Sequence, residues 1–267
     1  MKRLLLLILF PLSFVLSAAA QAPEPTPNEL FKIAFAAQQM GNYELALKTY
    51  NKAIEVDPFR NHFYYNRGLC YKILKQYDLA IADFNKSLEM KITAEAYYQI
   101  GCVKYETSDL QGAKQMFETA KGIKEDFEKM NFYLGLIYFR ENKYEESVAA
   151  FTTYTQSVRV NGEAYYYMAL SQAKMGQYST ALANLKTAQM YKITDWKLFY
   201  KFYEIYLAMN DKQNALDNLT MVIEMGERKV DYYEERARLY YDLGNKLKYD
   251  EDMEHAQTMR SSSASAN

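Results

Sequence analysis

A small residue returns at a fixed interval through most of the chain. It stands at Ala46, Ala80, Ala113, Ser147, Ala181 and Ala215, and the series ends at Tyr249, where the size rule breaks. The spacings are 34, 33, 34, 34, 34 and 34 residues. A unit that short cannot bury an apolar face alone, so like units must stack and share a continuous core. The period therefore predicts a superhelix of repeated units.

Offsets from these markers show what each unit is made of. Four residues on stand Tyr50, Phe84, Phe117, Phe151, Leu185, Leu219 and Met253; seven on stand Ala53, Ser87, Ala120, Tyr154, Ala188, Val222 and Ala256. Offsets of zero, four and seven share one helix face, which predicts an amphipathic helix with a large residue between small ones. Twelve before the marker stand Ala34, Gly68, Gly101, Gly135, Ala169, Tyr203 and Ala237, mostly small enough to let two helices approach closely. Five before it stand Gly41, Lys75, Ser108, Asn142, Gly176, Asn210 and Gly244. Most are Gly or Asn, which tolerate the left-handed conformation that ends a helix. Each unit reads as helix, tight turn, helix.

This unit resembles the tetratricopeptide repeat. The second unit carries the pattern in Tyr64, Gly68, Tyr71, Tyr77, Ala80 and Phe84, the third in Tyr97, Ile100, Gly101, Ala113, Phe117 and Ala120, and the fourth in Leu134, Gly135, Tyr138, Tyr144 and Phe151. The resemblance implies an all-α fold, a right-handed α-solenoid superhelix of about seven antiparallel helix pairs. It covers residues 28–257, with the departures gathered at the end. Tyr203 and Tyr249 replace small residues, and Asp250, Glu251, Asp252 and Glu254 make the last helix highly charged, as a solubilising cap would be.

The ends read differently. Met1-Lys2-Arg3, an uncharged apolar run from Leu4 to Leu16 and Ser17-Ala18-Ala19-Ala20 are the parts of a secretory signal peptide over residues 1–20. The run is too short to span a bilayer comfortably, so the mature chain is expected to be exported and not membrane-spanning. The expected destination is the bacterial periplasm, with secretion as the alternative. Residues 21–27 read as a Pro-rich spacer and the Ser-rich residues 258–267 as a disordered tail. Cys70 and Cys102 lie almost one repeat apart, on equivalent helices whose axes should be about 8–10 Å apart. That favours two buried thiols over a disulfide.

Chemistry finds little support. His62 and His255, far apart in the array, read as solvated surface residues, and no His or Cys pair has metal-ligand spacing. Carboxylates occur in mixed-sign runs such as Glu234-Glu235-Arg236, the mark of solvated helix faces. No catalytic constellation, cofactor site or metal site is expected. A formal net charge of −1 leaves no footprint for nucleic acid.

The resemblance also implies that the first helix of each pair lines a concave groove. The positions fifteen before the marker are Phe31, Tyr65, Tyr98, Phe132, Tyr166, Tyr200 and Glu234. Those eleven before it are Phe35, Leu69, Cys102, Leu136, Leu170, Glu204 and Arg238. Six consecutive aromatics would form a ladder, readable as repeat packing or as a partner-selecting apolar groove; the Leu-rich second row favours the groove. The carboxylate grip of some family members is absent, since only Asn66 of its residue set is present. The expectation is a non-catalytic scaffold of the bacterial cell envelope that binds a protein or peptide segment. The alternative is a self-assembling structural component, a homo-oligomer.

Overall fold

The computed structural model describes residues 24–124, 129–158 and 160–264. The expected signal peptide and residues 21–23 of the spacer lie outside the described residues. Among those described there is no strand, and the helices come in seven consecutive pairs. These are α1 (Pro27–Gln39) with α2 (Tyr43–Val56), α3 (Asn61–Ile73) with α4 (Tyr77–Met90), α5 (Ala94–Glu106) with α6 (Leu110–Ile123), and α7 (Lys129–Arg140) with α8 (Tyr144–Ser157). Then follow α9 (Gly162–Lys174) with α10 (Tyr178–Met190), α11 (Trp196–Ala208) with α12 (Lys212–Glu224), and α13 (Val230–Asp242) with α14 (Lys246–Ala264). They form two compact units, α1–α4 and α5–α14.

Every pair closes through the same turn. Residues Gly41, Lys75, Ser108, Asn142, Gly176, Asn210 and Gly244 all have positive φ, from 58° at Lys75 to 79° at Gly244. Two bonds hold each turn: in the first, Asn42 N–H donates to the Ala37 carbonyl and Gly41 N–H to the Gln38 carbonyl. The same two bonds recur around Lys75, where Gln76 N–H donates to Tyr71 and Lys75 N–H to Lys72. The following residue then starts the second helix; the side chains of Asn42, Asp109 and Asp211 accept from the N–H groups of Leu45, Gly112 and Asn214. The bonds on both sides force Lys75 and Ser108 into a conformation their side chains disfavour.

The marker residues Ala46, Ala80, Ala113, Ser147, Ala181 and Ala215 are fully buried, as are Tyr50, Phe84, Phe117, Phe151, Leu185 and Leu219 four residues on. Residues twelve before the marker face these large side chains. A Cβ built on Gly68, Gly101 or Gly135 would lie 2.9, 2.6 or 2.8 Å from a ring atom of Phe84, Phe117 or Phe151. Where the large residue is Leu185, Ala169 suffices.

Three expectations about ends and contacts are corrected. The spacer's last residues start α1: Thr26 Oγ1 accepts from Glu29 N–H at 3.3 Å and Glu29 Oε2 from Thr26 N–H at 2.8 Å. At the other end α14 continues through Ala264, so most of the expected disordered tail is helical. Serine content misled there, because Arg260 pairs with Glu234 and Met259 packs on the last core cluster. His62 is half-buried edge-on to the rings of Phe31 and Phe63, at 4.8 and 4.6 Å, and burial lowers its pKa. Cys70 and Cys102 are buried thiols not joined in a disulfide, as favoured above.

Candidate partner-binding face

In all but the last pair, first helices of successive pairs within a unit touch: α1 meets α3, and α5, α7, α9 and α11 meet in order, whereas α13 makes no such contact with α11 among the described residues. No two second helices make such a contact among the described residues. The first helices therefore form the inner layer of each stack, and any concave binding face is theirs.

The aromatic row is largely core. Phe31, Tyr65, Tyr98 and Phe132 each lean on the large residue of their own second helix: Phe31 on Tyr50 at 5.9 Å, Tyr65 on Phe84 and Tyr98 on Phe117 at 5.8 Å, Phe132 on Phe151 at 5.9 Å. All are half-buried, as are Tyr166 and Tyr200. Burial raises the Tyr98 phenol well above its ordinary value and pushes Tyr166 and Tyr200 to about 12. Glu234 replaces the aromatic in the last pair and likewise turns to its own second helix, pairing with Arg260 at 2.5 Å.

The second row divides. Leu136 is 7% exposed and packs with Phe151, Ala164 and Met168, so it is a core residue and no part of an open groove. Cys102 is buried too. Leu69 and Leu170 are half-buried, whereas Phe35, Glu204 and Arg238 are exposed.

Leu170 and Glu204 meet at a cavity of about 280 Å³ on the inner face of α7, α9 and α11. Phe139, Ala173, Ile205 and Tyr178 supply most of its apolar wall, and Lys174 and Lys201 join Glu204 as its polar groups. The sequence reading missed Phe139 and Ala173, although both stand eight residues before the marker, a third inner-face column. Lys201 Nζ closes on Glu204 Oε2 at 2.6 Å.

Beyond the cavity, Glu235 on α13 lies beside Tyr203, and its Oε2 is enclosed with no hydrogen-bond partner among the described residues. Burial, and then the Asp231 and Glu204 charges, raise its carboxyl above the usual range, while Tyr203 and Arg238 act the other way. No group of three or more His, Cys, Asp or Glu among the described residues could hold a metal. No described helix is long and apolar enough to cross a membrane.

Family models of the tetratricopeptide repeat match residues 30–60, 63–91, 94–127 and 163–189. The chain carries tetratricopeptide repeats. It is similar to the TPR repeat-containing protein YpiA of Bacillus subtilis, 22% identical over 75% of this chain and 48% of that protein. The chain spans about half the length, or less, of the first curated relatives it matches. Its fold is similar to the C-terminal part of a TPR repeat-containing protein from Cytophaga hutchinsonii, with TM-score 0.68, 17% identity, and coverage of 85% of this chain and 94% of that one. YrrB, described as a TPR protein with an unusual peptide-binding site, gives TM-score 0.52 and 22% identity over 61% of this chain and 85% of its own. The all-α class and the seven helix pairs expected from the period are what the structure has.

Proposed function

We propose that this protein is a non-catalytic protein-interaction scaffold of the bacterial cell envelope, binding an extended peptide or protein segment on the inner face of its first helices. The cavity at Leu170 and Glu204 carries this reading, because it is a concave hollow, with apolar walls and three charged groups, on the layer where partners of tetratricopeptide repeats are expected. The reading of Met1–Ala20 as an export signal supports an envelope location. A photo-crosslinking amino acid at position 170 tests the binding reading in whole cells. A discrete adduct that disappears with Ile205→Asp is expected; labelling of many proteins, unchanged by Ile205→Asp, would count against it. N-terminal sequencing of the mature protein tests export, with Gln21 expected first.

One observation favours a second reading, end-to-end self-association. Ile33 is 49% exposed, whereas Leu134, Met168 and Phe202, at the same repeat position, are buried in core clusters. A second copy could cover Ile33. Light scattering that shows monomer at every concentration rules this out.

A further inference from the structure

The charges around the cavity indicate what fills it. Lys201 is neutralised by Glu204, which leaves Lys174 as the uncompensated charge of the lining. Lys174 is exposed and makes no ion pair among the described residues. At the same repeat position on α7, Arg140 is exposed as well. Its guanidinium lies over the Tyr105 ring at 4.9 Å, with no carboxylate partner among the described residues. Each cation directly follows a wall residue, Arg140 after Phe139 and Lys174 after Ala173. The hollow thus has Lys174 in its lining, and Arg140 stands one repeat along the inner face, over Tyr105.

We propose that the site takes an extended segment of another protein that seats one aromatic or branched aliphatic side chain in the cavity. An Asp or Glu beside that anchor meets Lys174, and an acidic residue further along the segment meets Arg140. This deepens the scaffold reading and rests on it. A cavity of about 280 Å³ has room for one or two side chains, below most small-molecule sites, and two of its three charged groups, Lys201 and Glu204, pair with each other. The enclosed side chain supplies most of the affinity. The exposed cations set direction and exclude segments with Lys or Arg at the same place, through repulsion that salt screens.

The test is selection of a phage-displayed library of random dodecapeptides on the full-length mature chain, followed by fluorescence anisotropy with one enriched peptide carrying fluorescein. Enriched peptides should pair Phe, Tyr, Trp, Leu or Ile with an adjacent Asp or Glu. The double variant Arg140→Glu with Lys174→Glu, both surface positions, should weaken that peptide at least about tenfold, less so as salt is raised. Leu170→Asp should abolish binding, with circular dichroism confirming that both variants stay helical. Enrichment of basic peptides, or affinity lost in Leu170→Asp yet unchanged by the charge reversals, overturns the acidic-partner proposal and leaves the apolar site standing. A selection whose products bind Leu170→Asp as well as the natural chain, or that enriches nothing, overturns both.

Discussion

Arg236 grips Asp252 through two parallel N–H···O bonds, Nε to Oδ2 at 2.8 Å and Nη2 to Oδ1 at 2.7 Å, with the Asp252 side chain 4% exposed. The guanidinium also lies over the rings of Tyr233 and Tyr240, at 5.5 and 5.9 Å. The same four residues recur at the same repeat positions in the second pair, as Tyr64, Arg67, Tyr71 and Asp83, with bonds of 2.8 and 2.7 Å. Removing one partner strands a buried charge, so Asp252→Ala should cost about 3 kcal/mol in urea melts of the cap. The double change Arg236→Met with Asp252→Leu should recover most of that loss, since no charge is left unpaired. If the double variant is as unstable as the single one, the pair is not held by this charge balance.

Lys75 offers a gain. Its φ of 58° is held by turn bonds that any residue in that place would make. Lys75→Gly removes the steric cost of the left-handed conformation, about 1–2 kcal/mol, against a smaller entropic cost for Gly in the unfolded chain. A net stabilisation of about 0.5–1 kcal/mol is expected in thermal melts. The same change at Lys72, inside α3, should destabilise.

Gly135 tests the size rule across a pair. Ser147 donates to its carbonyl at 2.9 Å, and a Cβ there would lie 2.8 Å from the Phe151 ring. Gly135→Leu should therefore overpack the crossing and cost about 1–3 kcal/mol or more. Adding Phe151→Ala should relieve part of this loss, and a non-additive double-mutant cycle would show it.

How much of this was legible follows from what periodicity encodes. Marker, turn and large residue recur because every pair solves the same packing problem, so Ala46, Gly41 and Tyr50 announce the pattern that Ala181, Gly176 and Leu185 repeat. The inner face is where units differ, and there the period misleads. Leu136 and Leu170 are equivalent in sequence, yet Leu136 is sealed by Ala164 and Met168, while Leu170 opens on the cavity beside Lys201. Only the neighbouring pair's side chains distinguish them. The turn at Lys75 was likewise legible by position and not by residue type, because hydrogen bonds and not propensity fix it.

Glu235 gives the chain a pH dependence of definite sign. Its carboxyl titrates above the ordinary value of 4.5, chiefly through burial, while Tyr203 and Arg238 oppose the shift and Asp231 and Glu204 add to it. A raised folded value means that the folded state binds the proton more readily than the unfolded chain. This group's stabilisation is thus complete below the unfolded value and is lost as pH rises through the folded one. Glu235→Gln should therefore raise the melting temperature at neutral pH, and the difference between the two proteins should shrink as pH falls toward 4.5. A difference that grows on acidification would mean that Glu235 is stabilised as the carboxylate.

The inner face itself separates packing from binding. Tyr98 leans on Phe117 and Phe132 on Phe151, so Tyr98→Ala with Phe132→Ala should act first on stability, by about 3 kcal/mol or more per ring. Any loss of partner affinity in that variant follows from a disturbed stack. Leu170 is half-buried at the cavity wall, and Leu170→Ala should cost less stability than either ring while weakening partner binding by about 1–2 kcal/mol. Glu204 is exposed and tied to Lys201 at 2.6 Å, so Glu204→Lys should leave melts nearly unchanged and shift affinity in a salt-dependent way. Parallel melts and titrations of the three variants resolve the two roles. Should Leu170→Ala change stability as much as the aromatic pair and affinity not at all, the cavity wall is core, and binding has to be sought on another face of the repeats.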